Sequence, residues 1–502
     1  MPRKSTPSFV VTRRIYVNQH QAAFLDRKMD ICNKIYNTAV KHYREIIDKL
    51  KKDSRFKTAL DLYRQEGKAD ENAQSSDISK LMSEFKLNEY DIHAYMGYQK
   101  AHAFGNSIGI NIVQKQGSSL YGAIKKAVFG NSVLHFRKRG QTNSFEDKKA
   151  TTGIIYHRET DTFTLNKQSF RLKPVRSTDH YLIEAMQHKV KYCRIKRECH
   201  KNRYHYFLQI VMEGHAPEKI ELGKGNCGVD EGVSTIAYYN GKQAQFKVLA
   251  DGVEKYEKAI ERASRKYERR MKAANPDNYN ADGTPKKGRK TWKRTKGMQT
   301  ALMELKNAHR LKSEHIKQSH GRLTNMIVSQ SSIIIKEPMD FRALAKRSKS
   351  ETQLSDKKTT VIQNGKVKTI QKFKRKKRFG KSILRRAPGL FDKKLCDKMR
   401  RYGGTVIEVN SHNYKASQYN HETQTAIKPD LSCRVKQIGD NLVQRDLYSC
   451  YLLYNMKDID TINFDACKNE FEAFLKLQSL VIEEIKTIGD KTKNFGLKQF
   501  VA

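Results

Sequence analysis

The sequence predicts a multidomain α+β chain: an N-terminal strand, a helical lobe, a small β-barrel, an α/β domain with a helical insertion, and a helical tail. Three observations lead there. At 502 residues the chain is too long for one typical domain. The apolar period changes along it, helical over about 20–128 and strand-like over 150–213. Beyond that, short apolar runs end on or lead from single acids at Asp230, Glu337 and Asp446.

Composition narrows the partners. Lys and Arg total 98 against 53 Asp and Glu, a formal charge of +45. Self-repulsion on that scale calls for a polyanion, and nucleic acid fits, with affinity that falls as salt rises. A ribosomal-type or histone-like binder would share the charge but needs no strand-end acids. The eight cysteines include no CxxC pair, which points to reduced intracellular thiols. MPRKSTPSF lacks the apolar core of a signal peptide, and no run approaches the roughly 18 apolar residues of a membrane span. The expectation is a soluble, cytoplasmic protein with no membrane partner.

In chain order, Phe9–Val17 alternates apolar and basic residues like a strand with one wet face. Asn18 or Gln19 then opens a long helix, with Leu25, Met29, Cys32, Ile35, Tyr36 and Val40 at helical spacing. A second helical tract spans about Phe56–Tyr63, Gln65–Asp77 reads as a loop, and helices resume over Ile78–Phe85 and from Tyr90 to about Phe129. Within this lobe Asn106, Asn111, Gln114, Gln116, Ser118 and Ser119 form either an ordinary polar helix face or a set of amides and hydroxyls able to read base edges.

Ser132–Gly140 sets Phe136 beside Arg137, Lys138 and Arg139, as a strand edge along phosphates or as a solvated basic turn. Five strands follow to residue 213 with charged turns between them, the pattern of a small barrel. Cys193, Cys199 and His200 fit cross-strand positions of a hairpin better than a metal site.

CGVDEGVSTIAYY, residues 227–239, reads as a strand ending on Asp230, a turn through Gly232 and a second strand. Two charged helices, broken at the Pro/Gly/Asn-rich segment 275–288, separate it from SSIIIK, which delivers Glu337. His309, His315 and His320 have mixed spacing on a wet helix and read as solvated or RNA-contacting. From Lys372 to Arg386 nine of fifteen residues are basic, including Lys374, Arg375, Lys376, Lys377 and Arg378; so dense a run predicts mobility until an anion binds. GTVIEV, 404–409, is a further buried strand, and VQRDLYSCYLLY places Arg445 and Asp446 at a helix start.

Each acid alone has a plain structural reading. Asp230 can be a turn residue, Glu337 a strand-end salt bridge and Asp446 a helix N-cap. Taken together, GVDEGVSTIA, IIIKEPMDFRALAKR and QRDLYSCYLL resemble, in order and context, the three motifs of the RuvC-type nuclease of transposon-encoded TnpB proteins and their relatives, the compact type V CRISPR effectors. The resemblance covers most of residues 130–456. Where the family usually has Leu, this chain has Glu231.

The resemblance implies a RuvC/RNase H-like α/β nuclease domain over 223–456, with a helical hairpin insertion at 251–330 and a target-loading subdomain at 411–444. It implies a wedge β-barrel from 1–19 and 129–222, a helical recognition lobe over 20–128, and leaves 457–502 as an extra helical tail. It implies an RNA-guided DNA endonuclease, with Asp230, Glu337 and Asp446 holding two Mg²⁺ or Mn²⁺ ions. Implied partners are a guide RNA, double-stranded target DNA with a short flanking motif, and single-stranded DNA led to the cleft by Lys374–Arg378 and Arg445. The rivals are an RNA-guided regulator that binds without cutting, disfavoured by the intact acids, and a transposase acting directly on DNA ends, disfavoured by the wedge and helical lobe. The family's zinc ribbon is not matched: 414–446 holds only Cys433 and His421 as candidate ligands, so no structural zinc is expected.

Overall fold

The computed structural model describes residues 6–65, 71–130, 132–363, 366–377, 379–410, 416–427, 433–487 and 495–496; the side chains of 64–65, 71–76, 347–368 and 370–377 lie outside that description. The chain divides into two compact units, Met1–Lys219 and Ile220–Ala502.

The first unit opens with β1 (Ser8–Tyr16), whose Val11, Arg13 and Ile15 face inward as the alternation predicts. The buried Arg13 guanidinium is matched by Asp161 at 2.6 Å. Asn18 starts α1 (Gln19–Leu50) through a capping box: its side chain accepts from the Gln21 amide, and the Gln21 side chain accepts from the Asn18 amide. Helices α2 (Ser54–Gln65), α3 (Glu71–Glu84), α4 (Glu89–Phe104) and α5 (Ile110–Val128) follow. Part of the expected 65–77 loop is therefore helix, since α3 begins at Glu71.

Strands β2 (Ser144–Glu146), β3 (Ile154–His157), β4 (Thr162–Leu165) and β5 (Gln168–Leu172) precede the short α6 (His180–Ala185) and the long hairpin β6 (Val190–His200)–β7 (Arg203–Glu213). Their order is β2-β6-β7-β1-β5-β4-β3, antiparallel throughout. Here the expectation is corrected in part. The N-terminal strand does join the later strands, at the centre of the sheet, but no ladder joins β2 to β3 among the described residues, so hydrogen bonding does not close a barrel. Helices and sheet share one apolar core. Cys199 and His200 stand opposite Tyr204 and Arg203, as hairpin positions.

The second unit is built on a five-stranded sheet, β10-β9-β8-β11-β14. β8 (Asn226–Glu231), β9 (Thr235–Tyr239) and β10 (Ala244–Val248) form an antiparallel meander, while β8, β11 (Ile333–Lys336) and β14 (Thr405–Glu408) run parallel. Parallel neighbours need crossovers. The first is α7 (Glu254–Ala274) with α8 (Lys296–Val328), the predicted helical hairpin. The second contains α9 (Phe341–Leu344), β12 (Arg347–Gln363), β13 (Lys366–Lys377), α10 (Gly380–Arg386) and α11 (Pro388–Tyr402).

Of the basic run, residues 372–377 lie in β13 and 380–386 in α10, and Arg378 lies outside the described residues. β13 pairs antiparallel with β12, a strand the sequence reading missed. Arg386 at the end of α10 is buried, its guanidinium donating to the Leu249 carbonyl at 2.6 Å and to Glu254 at 2.5 Å.

Two small hairpins, β15 (Tyr419–Asn420)–β16 (Thr425–Ala426) and β17 (Val435–Ile438)–β18 (Asn441–Gln444), lead into α12 (Arg445–Tyr454), and α13 (Phe464–Thr487) forms the tail. The sheet is buried on both faces, as its near-continuous apolar strands require. Cys227, Val229 and Ile334 pack with Ile327, Phe391 and Leu395 from α8 and α11. Ala237, Tyr239 and Ile335 pack on the other face with Leu447, Tyr451 and Phe474 from α12 and α13. In the tail, Phe471, Phe474 and Ile482 are buried and Leu480 is exposed. All eight cysteines are free thiols, and among the described residues no helix is long and apolar enough to cross a membrane.

Candidate active site

The parallel ladder positions the first two acids. Lys336 stands opposite Val229, so the next residues along the two strands, Glu337 and Asp230, emerge side by side at the carboxyl ends of β11 and β8. The third comes from a helix laid against β8. A Cβ on Gly228 would lie 1.9 Å from the Cys450 carbonyl oxygen and 2.7 Å from the Tyr454 nitrogen, so only glycine lets α12 sit this close. Asp446 is one helical turn before Cys450, about 6 Å along the axis. Asp230 is two residues past Gly228, about 6.6 Å along the strand. The two carboxylates thereby reach the same end of the sheet.

Electrostatics record the convergence. Burial raises the Asp230 carboxyl well above its ordinary value; Asp446 and Glu337 push it further up, and Arg445 opposes them. Glu337 accepts a hydrogen bond from the Ala416 amide at 2.8 Å. Asp446 is held by Arg434 at 3.1 Å and by Arg445 Nε and Nη2, both at 3.1 Å. It is not the helix N-cap: that role belongs to Gln444, whose side chain accepts from the Leu447 amide at 2.8 Å. Gln444 is anchored in turn, its amide donating to Gln478 of α13 at 2.7 Å. The sequence reading missed Gln478, because a polar residue on an amphipathic helix reads as solvated.

The donor set is three carboxylates, the hard oxygen ligands that suit Mg²⁺ or Mn²⁺. A like-charged group with one member forced up in pKa is also short of positive charge, which a divalent ion would supply. Among the described residues, however, no three His, Cys, Asp or Glu side chains are gathered closely enough to hold a metal as they stand. Two arginines bond the Asp446 oxygens that a metal would use.

Behind the acids lies a network the sequence did not announce. Glu231 points to the face of β8 opposite Asp230, where it is buried next to Lys336. Burial pushes the Glu231 carboxyl up to about 8, against the pull of Lys336 and with help from Asp392. Lys336 is 1% exposed and bonded to Asp392 of α11, with Glu408 of β14 at 3.3 Å. Burial alone would lower the Lys336 amine, but Glu231 and Asp392 raise it above its ordinary value. The ion pairs therefore join the end of β11, which carries Glu337, to α11 and β14, with Glu231 of β8 buried beside them. The signal available in sequence was Glu231 standing where the family has Leu.

In the second unit His421 sits in an aromatic cage. Its ring centroid is 4.7 Å from that of Phe471, and Nδ1 is 2.8 Å from the Tyr448 hydroxyl, which also accepts from the His421 amide. Burial pushes the imidazole down from 6.5 to about 4. The folded protein keeps His421 neutral while the unfolded chain takes up a proton below pH 6.5. Stability is expected to fall between pH 6.5 and about 4, by on the order of 3 kcal/mol from this group. The measurement is the urea midpoint across that window. His421→Phe should flatten the slope, and an unchanged slope would assign it to other groups.

The other candidate residues are distributed as follows. Asn111 donates to the Thr152 hydroxyl at 2.7 Å, and the Gln114 side chain accepts from Lys148 at 3.5 Å. Arg137 stacks on Tyr36 at 3.5 Å and donates to Gln116 at 2.7 Å, while Lys138 and Arg139 are exposed. Arg137 thus serves the folded lobe rather than a strand edge, since residues 132–140 form no strand. Arg445 is mostly buried, spent on Asp446 and the Cys433 carbonyl. Lys374–Lys377 lie in β13 with side chains outside the description, and Arg378 lies outside the described residues.

No family model matches the chain, and no curated protein matches it. Among solved structures it is similar to a Cas12f1–sgRNA–target DNA complex, at 11% identity and a TM-score of 0.42, over 90% of this chain and 99% of that one. It is also similar to a CRISPR–Cas12f ternary complex, at 13% identity and a TM-score of 0.27, over 89% and 83%.

Proposed function

We propose that this chain is an RNA-guided DNA endonuclease that hydrolyses phosphodiester bonds at Asp230, Glu337 and Asp446. The observation that carries the cutting activity is the gathering of three acids from distant segments at one end of a buried sheet. Guide dependence rests on the resemblance of the three motifs to RNA-guided nucleases and is consistent with the formal charge of +45. Asp230, Glu337 and Asp446 would hold two Mg²⁺ or Mn²⁺ ions, which supply an activated water and stabilise the departing 3′-oxygen. The chain's own residues prepare that chemistry. The Ala416 amide orients Glu337, Arg434 and Arg445 orient Asp446, and the apolar packing of α12 on β8 keeps bulk water from the back of the site. The first unit and the helical hairpin would hold guide and target by their phosphates.

A second reading, a guided DNA binder that does not cut, draws on the two arginines that engage Asp446. One experiment separates them. The full chain is purified from cells with its RNA, the RNA is sequenced, and DNA matching it is offered with Mg²⁺ or Mn²⁺. A discrete RNA and cutting of the matched DNA are expected. EDTA should abolish cutting but leave RNA and DNA binding in place, and added Mg²⁺ should restore it. Binding without cutting under either metal would establish the regulator, and the absence of any discrete RNA would remove the guide.

A further inference from the structure

The tip of the α7–α8 hairpin, residues 275–295, is a folded loop and not a slack connection. Two buried asparagines grip the backbone on either side of Trp292. The Asn278 side chain donates to the Thr291 carbonyl at 2.7 Å, and Asn275 both donates to the Lys293 carbonyl at 3.1 Å and accepts from its amide at 2.6 Å. The Tyr279 ring meets the indole nearly at right angles, with centroids 6.3 Å apart, and its own backbone is bridged to Pro285. The indole is nevertheless 41% exposed. Around it runs KKGRKTWKRTK, residues 286–296, with seven Lys or Arg and no acid.

An aromatic ring held at the surface in a fixed pose, with cations on both sides along the chain, has the two parts that single-stranded nucleic acid uses: a π-face for a base and charges for the flanking phosphates. Holding the ring in advance lowers the ordering cost of binding. A membrane or an apolar protein groove fits less well, because Trp292 is the one large apolar side chain exposed anywhere in 275–295 among the described residues. We propose that Trp292 is a stacking platform for an unpaired nucleotide, with Lys290 and Lys293 beside it on the adjoining phosphates. The inference rests on the nucleic-acid reading above but not on cleavage.

Trp292 is the only tryptophan of the chain, so its emission reports this loop alone. The full-length protein, stripped of co-purifying RNA at high salt and kept in EDTA, is titrated with a short single-stranded RNA, the same sequence as DNA, a blunt duplex, heparin and phosphatidylserine vesicles. Both single strands should quench the emission about twofold, and the duplex and heparin should bind with the emission unchanged. A difference between RNA and DNA would say which strand the platform serves. Trp292→Leu should weaken single-strand binding about tenfold. Single strands that bind, by anisotropy of a labelled oligonucleotide, without changing the emission would overturn the platform. So would equal quenching by heparin, or an emission change with vesicles alone. Asp230→Asn should give the same quenching as wild type, so a failed nuclease and a failed platform remain distinguishable.

Discussion

Asp230→Asn is expected to reduce cutting of matched DNA by on the order of a thousandfold or more, and at the same time to make the metal-free protein more stable. Loss of an outer partner of a metal ligand typically costs about 10–100-fold, and loss of the central ligand itself should exceed that. The stability effect has the opposite sign for a physical reason. Burial and the charges of Asp446 and Glu337 raise the Asp230 carboxyl above the value of an unfolded Asp. A raised acid ionises less readily in the folded chain than in the unfolded one, so at neutral pH it opposes folding. A neutral side chain of the same shape removes that opposition. Cleavage rate and urea midpoint, measured in EDTA for the second quantity, should therefore move in opposite directions. A variant that loses both would show that Asp230 is a structural residue.

Lys336→Met should destabilise the second unit by about 3–5 kcal/mol, because it takes the buried cation away from its ion pair with Asp392. Removing one partner of a buried network strands the others, whereas removing the charges together does not. Hence Lys336→Met combined with Asp392→Leu should recover most of the loss, and the two changes should be strongly non-additive. The measurement is the urea midpoint of wild type, both single variants and the double. If the double falls by the sum of the singles, Asp392 and Lys336 do not interact, and the ion pair does not brace the end of β11.

The acids were legible because each is attached to an apolar run of the right length, and strand and helix periods survive in a single sequence. Their convergence was not, since it depends on the β8–β11 register and on Gly228 admitting α12. The plain readings of the acids separate on contacts of the same kind: Gln444, two residues earlier, is the cap that Asp446 could have been. Strand β12 was missed because RSKSETQLSDKKTTVIQ has almost no apolar alternation, and its partner β13 is masked by its own charge. In the first unit the fold gives Asn111 a partner in Thr152 and Arg137 partners in Gln116 and Tyr36, contacts between distant segments that no local pattern announces.

The order of the three acids along the chain also sets when the proposed cutting centre could form. Synthesis proceeds from the N-terminus, and domains fold as they emerge. The first unit is complete at Lys219, before Asp230 is made, and Asp446 follows Asp230 by roughly two hundred residues, or roughly 10–40 s of translation. For that interval the nascent chain holds a finished first unit and lacks Asp446. A product released early, anywhere between Lys219 and Arg445, keeps the whole of that unit and never gains the third carboxylate.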